Sequence, residues 1–168
     1  GFVNEVWRKH LIRDWPNPLH EDSDGLHLVA DNWREMGRQL EQLARRWHDA
    51  GLFGGWRNER FDVWSADGRQ ILFALERSAF RPLGLYSHAV HINGLAVTEE
   101  GLCFWIARRS PHKAVDPNKL DTLVGGGISA GEQIWEAAKR EGREEAGLTD
   151  AVLNRLQYTG RCISLHQV

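Results

Sequence analysis

The sequence contains little cysteine and almost no excess of either charge. Its two cysteines among 168 residues, Cys103 and Cys162, lie far apart and in no spacing typical of metal ligands. This pattern favours two reduced thiols, although it leaves a disulfide open. The formal net charge of −2 argues against the basic field with which proteins attract nucleic acids. We therefore expect no nucleic-acid partner.

The sequence also lacks long apolar runs, a signal-peptide pattern, internal repeats and low-complexity segments. An apolar run shorter than about 18 residues does not span a bilayer. We therefore expect a cytoplasmic protein with no membrane partner. Tryptophan, in contrast, is abundant, with eight residues that lie mostly in the first two thirds of the chain. These rings supply apolar area for a core, and Trp56 or Trp64 is a candidate for stacking on a planar ligand.

Apolar spacing and turn residues predict both helices and strands. The predicted elements are a helix from Asp31 to Gly51 capped by Asp31 or Asn32, a hairpin of Phe61–Trp64 with Ile71–Glu76, a second hairpin of Val90–Val97 with Leu102–Ala107, and a strand at Thr122–Val124. This order indicates an α/β (α+β) fold. A boundary near Tyr86 predicts a small α+β N-terminal domain at residues 1–86 and a second domain at residues 87–168.

The segment after the second hairpin has the features of a helix with defined ends. Ser129 and Glu132 fit a capping box at its start, and Gly147 supplies a stop. At 100° per residue, Glu141 and Glu145 continue the apolar stripe of the helix. The helix therefore carries acidic side chains along the face that it uses for packing.

This arrangement of carboxylates is costly unless something offsets their charge. Glu141, Glu144 and Glu145 repel one another and lie at the helix C-terminus, where the dipole disfavours anions. Divalent cations such as Mg2+ or Mn2+ would offset both penalties, because clustered carboxylate oxygens are hard ligands. Arg140 and Arg143 would neutralise part of the cluster. The alternative is a solvated helical face with ordinary ion pairs.

The same segment resembles the Nudix box, G-x5-E-x7-R-E-U-x-E-E-x-G-U, in which U is a bulky aliphatic residue. The matching positions are Gly126, Glu132, Arg140, Glu141, Glu144, Glu145, Gly147 and Leu148. Chance agreement at one starting position is on the order of 10^-8 from average composition. Gly142 departs from the pattern and costs about 1 kcal/mol of helix propensity. The resemblance implies a Nudix α/β/α sandwich with a mixed sheet, C-terminally incomplete in this chain.

What this resemblance implies is Mg2+-dependent (or Mn2+-dependent) hydrolysis of a small-molecule diphosphate. A metal-activated water would attack one phosphorus of the diphosphate linkage. The implied roles are metal ligation by Glu141, Glu145, Glu144 and the carbonyl of Gly125, and positioning of the acidic cluster by Glu132 and Arg140.

A finer resemblance covers most of the chain through short motifs. They are Glu76-Arg77, Gly84, His91–Gly94, Trp105, Arg108–Ser110, Lys113, Pro117, Leu120-Asp121 and Gly125–Gly127. These motifs resemble a Nudix subfamily related to thiamine pyrophosphokinase, whose fungal and plant members carry an extra N-terminal domain. The resemblance implies conversion of thiamine diphosphate or its damaged analogues to the monophosphate. Asn118 stands where the subfamily pattern has Gly.

The sequence leaves the substrate contacts and two other functions open. The candidate contacts are His91, Asn93, Arg109 and Lys113, of which the first two share one strand face by alternation. The alternatives are a histidine buried against the backbone and loop cations that are merely solvated. ADP-ribose or another nucleoside diphosphate derivative is the rival substrate class. A non-catalytic Nudix-fold binding module is the rival function, and a homodimer is left open.

Overall fold

The computed structural model describes residues 1–112 and 117–162, which form two compact units. The first unit contains residues 1–87 and 129–131, and the second contains residues 88–128 and 132–162. Helices and strands occur in both units, which confirms the α/β class. In the described residues the strands pair as five two-stranded antiparallel sheets rather than as one mixed sheet.

The first unit consists of two helices, two hairpins and a short 3-10 helix. Its elements are α1 (Glu5–Asp14), β1 (Leu19–Asp22), β2 (Gly25–Leu28), α2 (Trp33–Asp49), β3 (Arg60–Trp64), β4 (Ile71–Glu76) and the 3-10 helix Arg77–Ala79. The predicted hairpin of β3 and β4 is confirmed. Neither α1 nor the β1–β2 hairpin was predicted, since α1 buries only Leu11 and so shows no broad apolar stripe.

Helix α2 supplies the largest share of the core of the first unit. Asn32 is its N-cap, and the side chain of Asn32 accepts a hydrogen bond from the Glu35 N–H at 2.9 Å. This confirms one of the two predicted caps. The buried core residues from the helices and strands are Leu11, Trp15, Leu40, Leu43, Ala44, Trp47, Phe61, Val63 and Leu75.

The second unit contains the Nudix box except for residues 129–131. Its elements are β5 (Ala89–Ile92), β6 (Gly94–Thr98), β7 (Gly101–Trp105), β8 (Ala107–Arg108), β9 (Leu120–Asp121), β10 (Val124–Gly127), α3 (Ile134–Ala146) and α4 (Asp150–Leu153). The continuous strand predicted over residues 90–97 was wrong, because the chain changes partner at Asn93. β5 pairs with β10, whereas β6 pairs with β7.

Helix α3 begins later than the sequence predicts. Its first residue is Ile134, and Glu136 accepts a hydrogen bond from the Gln133 N–H at 3.1 Å. The predicted capping box of Ser129 and Glu132 was therefore wrong, since Glu132 is bound by an arginine instead. The predicted stop at Gly147 is confirmed by its left-handed φ of 60°.

A side chain from another element occupies the space beside Gly142, the glycine that interrupts the Nudix pattern. A Cβ at Gly142 would lie 2.6 Å from Leu153 Cδ2 and 3.3 Å from Ile92 Cδ1. Leu153 belongs to α4 and is fully buried. The packing contact that an aliphatic residue at position 142 would make is thus made by Leu153.

The β6–β7 hairpin exposes an apolar face. Register places Leu95 opposite Phe104 and Val97 opposite Leu102, and all four side chains are more than half exposed. Neither cysteine takes part in a disulfide. No helix among residues 1–112 and 117–162 combines the length and apolar content needed to cross a membrane.

Gly37 allows α2 to approach β4 closely, so we expect Gly37→Ala to destabilise the protein. A Cβ at this buried position would lie 2.7 Å from Phe73 Cβ. Alanine ordinarily stabilises a helix interior by about 0.5–1 kcal/mol relative to glycine, but overpacking costs about 1–3 kcal/mol. Urea unfolding should therefore give a lower free energy of unfolding for Gly37→Ala than for the wild type. Gly54→Ala is the control, because no atom lies within 4 Å of its added Cβ. A more stable Gly37→Ala variant would contradict the close approach.

Asp14 anchors Trp47, and we expect Asp14→Asn to reduce the acid dependence of stability. Hydrogen bonds from Arg13 and from the Trp47 indole at 2.7 Å lower the pKa of Asp14 to about 2. Because this pKa lies below the unfolded value of about 3.9, the carboxylate stabilises the fold above that value. The contribution is lost as the pH falls towards 2. Urea unfolding of the wild type and of Asp14→Asn at about pH 7, 4 and 2.5 measures this contribution to the free energy of unfolding. Identical pH dependence in the two proteins would refute the expectation.

Candidate active site

The candidate site is built on β10, a strand made almost entirely of glycine. β10 pairs antiparallel with β5, and the register places Gly125 opposite His91 and Gly126 opposite Val90. Helix α3 packs against both strands through Ala137 and Ala138, which are buried. The small side chains on both sides allow the helix to lie close to the strand. The acidic side chains of α3 therefore reach the backbone of β10.

Glu141 lies directly against the backbone of Gly126. A Cβ at Gly126 would overlap the carboxylate carbon of Glu141. Its φ is not positive, so the glycine is required by close approach rather than by backbone conformation. The Glu141 side chain is 12% exposed, which is low for a carboxylate. The fold thus holds this carboxylate in one place, between the helix and the strand.

Arg140 is the cation that makes this burial tolerable. Its Nε and Nη2 donate to the two carboxylate oxygens of Glu132 at 2.8 and 2.9 Å, and its Nη1 donates to Glu141 Oε1 at 2.6 Å. Nη2 also donates to the carbonyl of Gly127 at 3.1 Å. The hydrogen bond to Glu132, followed by that to Glu141, raises the pKa of Arg140 above its usual value. The guanidinium therefore remains charged and holds both carboxylates in fixed orientations.

Glu145 reaches the same strand one residue earlier. Its Oε2 accepts a hydrogen bond from the Gly125 N–H at 3.1 Å. Glu144 is 61% exposed and lies 3.4 Å from Arg140 Nη1. Arg143 was expected to neutralise part of the cluster, but its guanidinium donates to Asp150 at 3.0 and 2.7 Å. That expectation was wrong, and Arg143 fixes α4 instead.

The carboxylates come together in pairs rather than as one compact group. Glu132 and Glu141 share Arg140, whereas Glu141 and Glu145 meet neighbouring glycines of β10. In the described part of the chain, the oxygens of Glu141, Glu144 and Glu145 do not all lie within 4.8 Å of one another. The role of these residues as metal ligands stays a prediction.

His91 lies beside the glycine strand and is exposed. Its Nδ1 is 3.0 Å from the hydroxyl of Thr122, which donates to the Val124 carbonyl at 2.9 Å. Because the hydroxyl has one proton and a carbonyl can only accept, the Thr122 oxygen is placed to accept a hydrogen bond from His91 Nδ1–H. The alternative of a buried histidine was wrong. Thr122 positions the ring, and no sequence pattern had marked it.

The remaining candidate contacts have different surroundings. Arg109 Nη1 donates to Asp121 Oδ2 at 2.7 Å, and this hydrogen bond lowers the pKa of Asp121. Asn93 is exposed at the end of β5. Lys113 lies outside the described residues. Asn118 has a φ of 62°, so it adopts the left-handed conformation that the expected glycine would favour.

The tryptophans proposed for stacking belong to the first unit. Trp56 packs at the edge of its core, with the guanidinium of Arg45 4.6 Å from the ring centroid and the ring of His48 5.4 Å away. These contacts support packing over ligand stacking for Trp56. Trp64 lies in β3 and is partly buried.

Comparison with known proteins identifies relatives of this chain. Nudix hydrolase 24, chloroplastic, of Arabidopsis thaliana is 30% identical over 164 residues, which are 95% of this chain and 45% of the relative. Nudix hydrolase 20, chloroplastic, of the same plant is 31% identical over 135 residues, 80% of this chain and 36% of the relative. The chain spans less than half the length of these curated relatives.

A solved structure from Deinococcus radiodurans has a TM-score of 0.42 and 30% identity, covering 54% of this chain and 53% of that chain. The family model of the NUDIX domain matches residues 88–167. This match includes β10, α3 and the acidic residues around Arg140. Residues 88–167 therefore carry a Nudix domain, and the chain has homologues among the Nudix hydrolases.

Proposed function

We propose that the Nudix domain hydrolyses a diphosphate linkage with the help of a divalent metal ion, Mg2+ or Mn2+. The observation that carries the proposal is the position of Glu141 and Glu145. Their carboxylates reach neighbouring glycines of one strand, where no side chain separates them from the backbone. A phosphate or a metal can approach such a strand more closely than one that bears side chains.

The charge of the site fits a divalent cation. Arg140 binds Glu132, Glu141 and Glu144, and Glu145 extends from the same helix to β10, whereas Arg143 binds Asp150. Glu141, Glu144 and Glu145 thus add negative charge to the C-terminal half of α3, where the dipole disfavours anions. Carboxylate oxygens are ligands that Mg2+ and Mn2+ prefer. The donor set therefore suits the metal that the family resemblance implies.

The residues divide the work according to their contacts. Glu145 and Glu144 are the more exposed carboxylates and would hold metal with Glu141 and the carbonyl of Gly125. Arg140 positions Glu141 through its Nη1, and Glu132 holds the other side of the guanidinium. When bound, the metal supplies a Lewis acid for the phosphate oxygens and a more acidic water.

We propose thiamine diphosphate or a damaged analogue as the substrate class. The support is the set of short subfamily motifs, together with the left-handed Asn118, which keeps the loop conformation that the pattern expects. His91, Asn93, Arg109 and Lys113 remain the proposed substrate contacts. ADP-ribose and other nucleoside diphosphates are the rival substrates, because the box residues contact the diphosphate rather than its substituents.

The organisation of the whole protein is part of the proposal. We propose an N-terminal domain at residues 1–86, followed in the sequence by the Nudix domain at residues 87–168, in a cytoplasmic protein. The contact pattern supports a division at this place. The proposed protein acts on a small molecule without nucleic-acid or membrane partners, and a homodimer is compatible with it. A non-catalytic binding module is the rival function, which the activity measurements below exclude or establish.

The test of the ligand assignment is Glu145→Gln. We expect turnover to fall about a hundredfold or more, because metal catalysis stabilises the transition state by several kcal/mol. Phosphate release from thiamine diphosphate, its oxidised analogues and ADP-ribose at saturating Mg2+ is the measurement. Glu99→Gln, in the exposed turn between β6 and β7, is the matched control. Nearly wild-type turnover of Glu145→Gln would exclude the assignment, and absence of turnover in the wild type on every diphosphate would favour the binding module.

Metal binding should also be visible without activity. We expect millimolar Mg2+ or Mn2+ to raise the melting temperature of the wild type by mass action. Glu141→Gln should lose that rise, since it removes charge from the carboxylate nearest the strand while keeping its shape. Differential scanning calorimetry with metal and with EDTA compares the two proteins. A melting temperature that metal leaves unchanged in the wild type would instead support a solvated acidic face.

A further inference from the structure

The β1–β2 hairpin of the first unit has two faces of different chemistry. Register pairs Leu19 with Leu28 and Glu21 with Leu26 on one face, and His20 with His27 and Asp22 with Gly25 on the other. The leucines pack against the core of the unit. Because successive residues of a strand point to opposite faces, the two histidines and Asp22 are presented together on the outward face.

Three potential metal ligands meet on that outward face. One ligand atom from each of His20, Asp22 and His27 lies within 4.8 Å of the other two, the only such group of three found in the described part of the chain. His27 Nε2 lies 2.9 Å from Asp22 Oδ1. The two imidazole rings stack with their centroids 4.7 Å apart and 5° between their planes.

The turn of the hairpin holds the carboxylate in place. Asp22 Oδ1 accepts hydrogen bonds from the backbone N–H groups of Asp24 at 2.8 Å and Gly25 at 3.2 Å. The side chains of Asp22 and His27 remain 49% and 43% exposed. The neighbouring Glu21 is bound by Arg8 of α1 and so does not compete for the site. The ligands are therefore ordered by the backbone and open to solvent.

We propose that His20, Asp22 and His27 bind a divalent transition-metal ion of the zinc class, with water completing the coordination. Two imidazoles and one carboxylate suit Zn2+ rather than Mg2+, which prefers oxygen ligands alone. With Zn–ligand distances of about 2.0–2.1 Å, tetrahedral ligand atoms lie about 3.3 Å apart. The His27–Asp22 pair needs only a small expansion to reach that separation. The His20 nitrogen lies within 4.8 Å of the other two ligand atoms, and the parallel rings of His20 and His27 must turn out of their stack, because an imidazole binds metal in its ring plane.

Such an ion would link β1 to β2 on the face away from the core. A two-stranded hairpin is marginally stable by itself, and an ion bound to both strands stabilises it by mass action. This site lies in the first unit and involves none of the residues proposed for diphosphate hydrolysis. Its presence or absence is therefore independent of that function.

The test is titration with Zn2+ by calorimetry in excess Mg2+, which occupies sites made of oxygen ligands alone. The titration uses protein without a polyhistidine tag, because a tag would itself bind Zn2+. We expect one equivalent of Zn2+ to bind the wild type, and affinity to fall at least about tenfold in His20→Ala and His27→Ala. Asp22→Asn keeps the shape of the side chain and should weaken binding in the same direction. His112→Ala is the matched control, an exposed histidine outside the hairpin, and should bind as the wild type does.

A second readout separates metal binding from simple stacking of the histidines. Co2+ bound by imidazoles gives visible absorption bands, which should appear in the wild type and in His112→Ala and disappear in the three hairpin variants. Melting in EDTA establishes that each variant is folded. Absence of Zn2+ binding in the wild type, or equal affinity in folded His20→Ala and Asp22→Asn, would overturn the proposal.

Discussion

The guanidinium of Arg140 holds the acidic side of the Nudix domain together. It binds Glu132 with two hydrogen bonds and Glu141 with a third. Both carboxylates are largely removed from water, at 15% and 12% exposure, and unpaired charges in such positions are costly. The arginine thus allows α3 to turn an acidic face towards the strand. Glu144 lies at the edge of the same guanidinium, 3.4 Å from its Nη1, and Glu145 meets the N–H of Gly125 instead.

Two glycines of the domain are required by what packs against them. At Gly126 the Glu141 carboxylate occupies the space that a Cβ would take. At Gly142 the side chain of Leu153 occupies that space. In the second case a residue from α4 replaces the aliphatic side chain of the family pattern. The helix loses intrinsic propensity there, while the core keeps its apolar contact. The departure at position 142 therefore changes which element supplies the packing and leaves the acidic residues in place.

The sequence was sufficient to predict those parts of the fold that depend on local patterns. The apolar stripe of α2, a cap at Asp31 or Asn32, the stop at Gly147 and the acidic face of α3 follow from spacing and residue type. The family resemblance indicated a Nudix domain. Which group a side chain binds depends on tertiary structure and could not be predicted from local spacing. Arg143 had two sets of carboxylates within reach.

The strand break at Asn93 illustrates the same limit. Residues 90–93 alternate between apolar and polar side chains and residues 95–97 are all apolar, so both parts are strand-like. Only the separate pairing of β5 with β10 and of β6 with β7 divides them. The role of Thr122 could not be predicted for a related reason. Its hydroxyl matters because it lies between His91 and the Val124 carbonyl, a relation across strands that has no counterpart in the linear sequence.

The apolar face of the β6–β7 hairpin affects how this chain behaves on heating. Leu95, Val97, Leu102 and Phe104 are exposed in the folded protein, so molecules have adhesive strands available before they unfold. Association through these strands would compete with refolding as the protein concentration rises. A melting temperature that stays the same across concentrations and scan rates would then report equilibrium unfolding, and one that moves would report a rate.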